Sequence, residues 1–255
     1  MDRLTIIKVG GKVVEDHQLL EALLDQFNRI SGYKMLVHGG GSTATEIARK
    51  LGIETKMVDG RRITDIEMLN VVTMVYGGLV NKNIVAGLQA RNCNALGLTG
   101  ADLSLVRAKK RPVKEIDYGF VGDVEEVNSR EIRLLLNENV VPVIAPLTHD
   151  GKGQLLNTNA DTMASEIATE LSAYYNIFLF FCFEKKGVLL DEKDETSMIY
   201  ELDSALFEKY KETGIISAGM IPKLENGFRA KRKGVKEVLI TNHQNIATGR
   251  GTRLI

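Results

Sequence analysis

Lys8 interrupts "LTIIKV", a run that otherwise reads as a buried strand, and an uncompensated ammonium in such a place costs several kcal/mol. It calls for an anionic partner, unless it lies near enough to the strand end to snorkel to solvent. Gly10-Gly11 follow at once, and a second glycine run, Gly39-Gly40-Gly41, follows "KMLVH". Backbone free of side chains can approach a bound group closely, so both turns suit an anion. Farther on, "NTNAD" (Asn157 to Asp161) brings two amides and a carboxylate to one spot before a helical pattern, and "SAGMIPKLENGF" places Lys223 directly after Pro222. Proline suits the first position of a helix, so Lys223 sits at the positive end of a helix dipole, where a cation is disfavoured unless an anion joins it. Each feature also has a plainer explanation: a surface lysine in a first turn, or helix capping by Asn159 with Asp161 favouring the dipole.

Three chemistries compete for the triple glycine. Gly39 to Ala44 satisfies G-x-G-x-x-A, with Asp59 about twenty residues later, so a dinucleotide site is locally legal. Three glycines in a row satisfy many patterns, however. "HGGG" could supply the oxyanion donors of an esterase, but that chemistry needs a G-x-S-x-G elbow, and "IISAG" puts Ile215 at its first glycine. A Walker A loop fails because Ile6 and Pro146 stand where its first glycine would precede Gly11-Lys12 and Gly151-Lys152. A cradle for some other anion remains.

The elements that must position these residues alternate. Apolar runs "LTIIKV", "KMLVH", "NALGL", "VVPVIAP", "IFLFFCF" and "EVLIT" are separated by segments of helical period, which predicts an α/β fold with a mainly parallel sheet. Ser42 reads as the cap of a helix to Leu51, with Ala44, Ile47, Ala48 and Leu51 at helical spacing. Thr64-Asp65-Ile66-Glu67 reads as a capping box, opening a helical pattern that runs to about Ala90. Its apolar residues fall on two strips: Leu69, Val72, Tyr76 and Leu79, and then Val71, Met74 and Val75. That surplus suits a dimer interface, or else Gly77-Gly78 breaks the segment into two buried helices. Ser104 to Val127 reads as hairpins over one end of the sheet, and a soft boundary near Leu171 to Asn176 divides the chain into lobes 1–174 and 175–255.

Composition bounds the partners. With 44% hydrophobic residues in 255, the chain can bury a full core. Thirty-three basic residues balance thirty-three acidic ones, and no like-charge block is longer than Lys231 to Lys233, so bulk electrostatics offers nothing for nucleic acid or membrane. Two cysteines, Cys93 and Cys182, without CxxC suggest neither a disulfide framework nor a zinc site and fit a reducing cytoplasm. "MDRLTIIKVGG" enters a strand without the regions of a signal peptide, and no apolar run approaches the eighteen residues of a membrane span.

Taken in order, "IIKVGGK", "LVHGGG", "GRRIT" (Gly60 to Thr64), "GLTGAD" (Gly97 to Asp102), "QLLNTNAD" (Gln154 to Asp161) and "GIISAGMIPK" (Gly214 to Lys223) resemble the amino-acid kinase family, and within it the acylglutamate kinases. The resemblance spans nearly the whole chain. It implies an open three-layer αβα sandwich, with an N-terminal lobe for the acyl-amino acid and the dimer contact and a C-terminal lobe for ATP. It further implies that Lys8 and Lys223 hold the transferring phosphoryl group from opposite sides, with Asp161 between them. Gly10, Gly11 and Gly40 would line the phosphoryl, with Gly11 and Gly40 donating backbone N–H bonds. Gly39, Gly40, Gly41, Arg62 and Asn157 would hold the acyl-glutamate, with Arg62 as a fork for its α-carboxylate. The nucleotide, ATP carrying Mg2+, would meet Glu184, Lys186, Ala218, Gly219 and Met220, and no protein metal site is implied.

The sequence departs from the family after the C-lobe strand, where "CFEKKG" replaces a short "TD" turn. Glu184 then takes the acidic position with a ribose in reach, and Lys186 could reach a phosphate. Arg61 and Lys109-Lys110-Arg111 add positive charge near the acyl end, so an acyl group larger or more acidic than acetyl, such as succinyl, is an open alternative to plain surface charge. The arginine-inhibited members carry an extra N-terminal helix, and with the first strand starting at about Leu4 we expect a dimer that arginine does not inhibit. No catalytic histidine is required, which leaves His17, His38, His149 and His243 structural or exposed. Related amino-acid kinases acting on aminoadipate derivatives, aspartate or glutamate are the near alternatives. A dinucleotide-dependent oxidoreductase or a non-catalytic sensor is remote, since the first leaves Lys8 and Lys223 unexplained and the second leaves the lysine–aspartate set without a use.

Overall fold

The computed structural model describes residues 1–58, 60–191, 193–216 and 219–255. The chain runs β1 (Arg3–Val9), α1 (Gly11–Glu15), α2 (His17–Asn28), β2 (Tyr33–His38), α3 (Gly41–Lys50), a short β3 (Met57–Val58) and β4 (Arg61–Arg62), then α4 (Ile66–Val72), a π-helical stretch Thr73–Val80 and α5 (Asn81–Gln89). It continues through β5 (Ala95–Thr99), β6 (Val106–Lys110), β7 (Gly122–Val127), α6 (Ser129–Asn137), β8 (Val141–Ala145), β9 (Leu147–His149), β10 (Leu155–Asn157) and α7 (Ala160–Leu171). The remainder is β11 (Asn176–Phe183), β12 (Glu201–Leu202), α8 (Ser204–Glu212), α9 (Ile221–Arg232), β13 (Glu237–Asn242) and β14 (Thr252–Leu254).

All six apolar runs of the sequence enter one eight-stranded sheet, ordered β12-β14-β13-β11-β1-β2-β8-β5. Its pairings are parallel except β13 with β14. Alternation along the strands builds two cores and so three layers. Leu4 and Ile6 of β1, with Ile177, Leu179 and Phe181 of β11, meet α6, α7, α8 and α9 on one face. Ile7 and Val9, with Phe180 and Cys182, meet α2, α3, α4 and α5 on the other. The two halves of the chain share both cores, and the sheet crosses between them at β1 and β11. The hairpin expected within Ser104 to Val127 forms as β6 against β7, and β9 and β10 extend it to a four-stranded sheet.

Two local expectations change, and one alternative falls away. The helix after the triple glycine starts at Gly41 with Gly40 at its N-cap, and Ser42 makes no cap. Its third N–H, that of Thr43, is instead taken by the Glu15 carboxylate at 2.9 Å, a cap supplied from α1. The next helix is capped by Asp65, whose side chain accepts from Met68 N–H at 2.8 Å. Thr64 is drawn one residue away, into backbone bonds with Tyr118 and Phe120, so the capping box does not form. Finally, Gly77-Gly78 does not break the run from Ile66 to Gln89, because the chain passes through wide π turns there. By length and a mean hydropathy of 1.3 that run would pass as a membrane span, but most of both predicted apolar strips faces the core. Of those strips only Met74 and Leu79 stay exposed, at 56% and 47%.

Candidate active site

In an open parallel sheet, ligands sit beyond the carboxyl ends of strands where the chain turns opposite ways. Here that point is β1, flanked by β2 and β11. Lys8 is the penultimate residue of β1, and alternation places it on the face of Leu4 and Ile6, toward α7. The first turn of α7 brings Asp161, with Asn159 capping that helix by accepting from Thr162 N–H at 2.9 Å. Lys8 Nζ lies 2.8 Å from Asp161 Oδ1, and Lys223 Nζ, from the first turn of α9, lies 3.8 Å from Oδ2. Lys8 and Asp161 are 6% and 5% exposed, so the anionic partner demanded by the buried lysine is in place. Burial alone would push the Asp161 carboxyl up, but Lys8 and Lys223 reverse this and hold it below the usual aspartate range. Lys223 goes the other way: burial, aided by Lys8, lowers its pKa against the pull of Asp161. Its ammonium also donates to Gly219 O at 3.2 Å.

This triad stands in the wall between two cavities. One, of about 550 Å³, is lined by Gly39, Gly40, Gly41, Arg62 and Asn157. The other, of about 480 Å³, is lined by Gly10, Glu184, Lys185, Gly219 and Met220. Lys8, Gly11, Gly219 and Lys223 border both. The two glycine turns pack against each other there: a Cβ on Gly39 would lie 3.1 Å from Gly11 N, and one on Gly11 within 3.6 Å of the nitrogens of Gly40 and Gly41. Gly40 has φ 154°, and a Cβ on it would meet the Tyr76 ring at 3.1 Å. Only glycine suits that position.

Several predicted site residues carry further duties. Arg62 is buried, and its Nη2 donates to Gly41 O and Thr45 Oγ1, both at 2.8 Å, so it anchors the start of α3 while lining the first cavity. Asn157 Nδ2 donates to Thr64 Oγ1 at 3.0 Å. Gly10 borders the second cavity while its own N–H donates to Cys182 O at 2.9 Å, which leaves donation to Gly11 and Gly40. Lys186 is drawn to Glu195 at 2.9 Å and does not border the second cavity, whereas Lys185 does. Glu184 borders it too, but is paired with Lys12 at 2.9 Å. Ala218 and Asp59 lie outside the described residues. Of the extra positive charge, Arg61 and Arg111 line the first cavity, with Arg111 paired to Asp123 at 2.6 Å, while Lys109 and Lys110 turn to Glu125 and the Phe120 ring.

Support that the sequence did not reveal comes from Glu15, Lys12 and the buried pair His38–Asn81. His38 Nδ1 donates to Gly39 O at 2.7 Å, and Nε2 accepts from Asn81 Nδ2 at 3.2 Å, which fixes the neutral tautomer. Burial pushes its pKa down to about 4. Between pH 6.5 and 4 the unfolded chain therefore binds a proton that the folded one refuses, so lowering the pH through that window costs about 3 kcal/mol of stability. His243 is lowered by burial as well. Thermal unfolding followed from pH 7 to 4 should show this fall, and in His38→Gln it should shrink. An unchanged slope in the variant would remove His38 from the account.

The chain matches the amino acid kinase family over residues 3–242. It is 61% identical over 254 residues to the acetylglutamate kinase of Parabacteroides distasonis, covering 100% of both chains. It is 62% identical over 253 residues to that of Bacteroides thetaiotaomicron, covering 99% of this chain and 98% of the relative. Among solved structures, smu.665 of Streptococcus mutans superposes with TM-score 0.81 at 28% identity over 98% of each chain. Carbamate kinase from Giardia lamblia, solved with AMP-PNP, superposes with TM-score 0.70 at 15% identity, covering 100% of this chain and 98% of the other, and so shares the fold.

Proposed function

The chain belongs to the amino acid kinase family, and on that premise we propose that it phosphorylates the side-chain carboxylate of an N-acyl-L-glutamate with ATP, as a step of arginine biosynthesis. The observation that carries this reading is Asp161 clasped by Lys8 and Lys223 in the wall between the two cavities. The cavity of Arg62 and Asn157 takes the acyl-glutamate, and the cavity of Glu184, Gly219 and Met220 takes the nucleotide. A carboxylate with a reference pKa near ~4.3 is ionised at neutral pH, so the nucleophile needs no general base. Its oxygen attacks the γ-phosphorus, the bond from that phosphorus to the β-phosphate oxygen breaks, and ADP leaves with the electron pair.

The work of the protein is positioning and charge. Lys8 and Lys223 neutralise the phosphoryl oxygens from opposite sides, Asp161 fixes both ammonium groups, and Gly11 and Gly40 donate backbone N–H bonds. Asp161 and Glu184 are both engaged by lysines, which fits Mg2+ arriving on the polyphosphate, where it would neutralise charge, more than a cage of protein ligands. We further read the lobes as 1–174 for acyl-glutamate and 175–255 for nucleotide. Met74 and Leu79 support a homodimer, and two buried free thiols, Cys93 and Cys182, suit a reducing cytoplasm. Neither nucleic acid nor membrane is a partner in this reading.

Hydroxylamine trapping with N-acetyl-L-glutamate and N-succinyl-L-glutamate side by side tests it, with aspartate and free glutamate as controls. Hydroxamate should form from an acylated substrate and not from the controls. Arg61 and Arg111 in the acyl-side cavity make the succinyl arm worth running, and equal or better turnover of the acetyl substrate would set that alternative aside. No hydroxamate from either acylated substrate would overturn the assignment.

A further inference from the structure

The ion pair between Lys12 and Glu184 is not explained by the fold. It joins the turn after β1 to the end of β11 at 2.9 Å, with the Lys12 side chain 78% exposed and that of Glu184 38%. An exposed pair of this kind adds little stability, because water screens it and two long side chains lose freedom to hold it. Both partners border the second cavity, whose charged lining among the described residues is Lys8, Lys12, Lys185 and Lys223 against Glu184. Asp161 already engages Lys8 and Lys223 from behind. The depth of the lysines differs as well: Lys8 is buried at the wall shared with the acyl-side cavity, and Lys12 stands at the open rim.

Resting on the kinase reading above, we propose that Lys12 is a phosphate-binding residue of the nucleotide site, held on Glu184 until a nucleoside polyphosphate enters and then transferred to its phosphate oxygens. The exchange loses little, since the pair it breaks is solvated, and it gains a charge-assisted bond to a more highly charged acceptor. The hydrogen bond and charge of Glu184 raise the pKa of Lys12, so the ammonium is charged before the ligand arrives. Lys8 and Lys223 meet the phosphoryl group being transferred, and Lys12 meets the β-phosphate behind it. A monophosphate has no β-phosphate and so leaves the pair intact.

Calorimetric titration of the intact protein with AMP, ADP and ATP, without acyl-glutamate, tests this on wild type, Lys12→Met and Lys12→Arg. Lys12→Met should weaken ATP about tenfold while AMP stays within about twofold, the loss expected for one bond to a charged group. Lys12→Arg, which keeps the charge, should stay within about threefold of wild type for ATP. Lys12→Met binding ATP as wild type does, or losing AMP and ATP equally, overturns the proposal and leaves the kinase reading standing. A wild-type protein that binds none of the three overturns both.

Discussion

Lys8→Ala should lower kcat by about 100- to 1000-fold, the range found when one preorganised donor to a developing charge is removed. Lys8 makes no contact that another side chain could take over, since it is fixed in the centre of the sheet between β2 and β11 and its ammonium is set by Asp161. The truncated protein keeps Lys223 on Asp161 at 3.8 Å, so the carboxylate retains one counter-ion and the fold should persist at reduced stability. KM for the acyl substrate should move much less than kcat, because Arg62 and Asn157 line the acyl-side cavity independently of Lys8. Steady-state kinetics on protein shown to be folded by circular dichroism decides it. Turnover near wild type would remove Lys8 from the catalytic set.

Asp161→Asn should do comparable damage by a different route. The amide has the shape of the carboxylate but none of its charge, so two ammonium groups are left facing each other at a buried position. Removing one partner of a buried ion pair costs about 3–5 kcal/mol, and the two lysines also lose their fixed orientation. A fall in kcat of about 100-fold or more is expected, together with a lower Tm. The pH dependence identifies the cause. The folded carboxyl titrates below its unfolded value, so it contributes stability that is present above about pH 4 and is lost as pH falls through the folded pKa. Asp161→Asn should flatten this acid limb and leave untouched the higher window that His38 controls. A variant with the Tm, acid limb and turnover of wild type would refute the clasp.

Much of the frame could be read in the chain because the signals were local. Six apolar runs of strand length marked the strands now found in the main sheet, and a lysine inside one of them demanded a counter-ion that Asp161 supplies. What escaped depended on contacts between distant segments. Ser42 carries the usual cap chemistry, yet Glu15 supplies the cap from 28 residues away. Thr64 looked like a cap until Tyr118 and Phe120 claimed its backbone. The π turns at Thr73–Val80 have no simple periodicity to announce them, and they carry the helix through Gly77-Gly78, where a break was the alternative. The "KK" of Lys185-Lys186 offered two cations with no local rule to choose between them, and Glu195, on the following loop, draws Lys186 aside.

The sheet order has a consequence for how the protein is made. β1 pairs early with β2, but its other edge waits for β11, since Leu4 finds Ile177 and Val9 finds Cys182. At about 5–20 residues per second on the ribosome, that edge stays open for roughly 10–30 s after β1 is synthesised. Through that interval the nascent chain offers an apolar strand with unsatisfied peptide groups, the kind of template on which other chains add. The middle seam of the finished sheet thus closes only after two-thirds of the chain has been made, and the interval before β11 emerges is when a chaperone has most to shield.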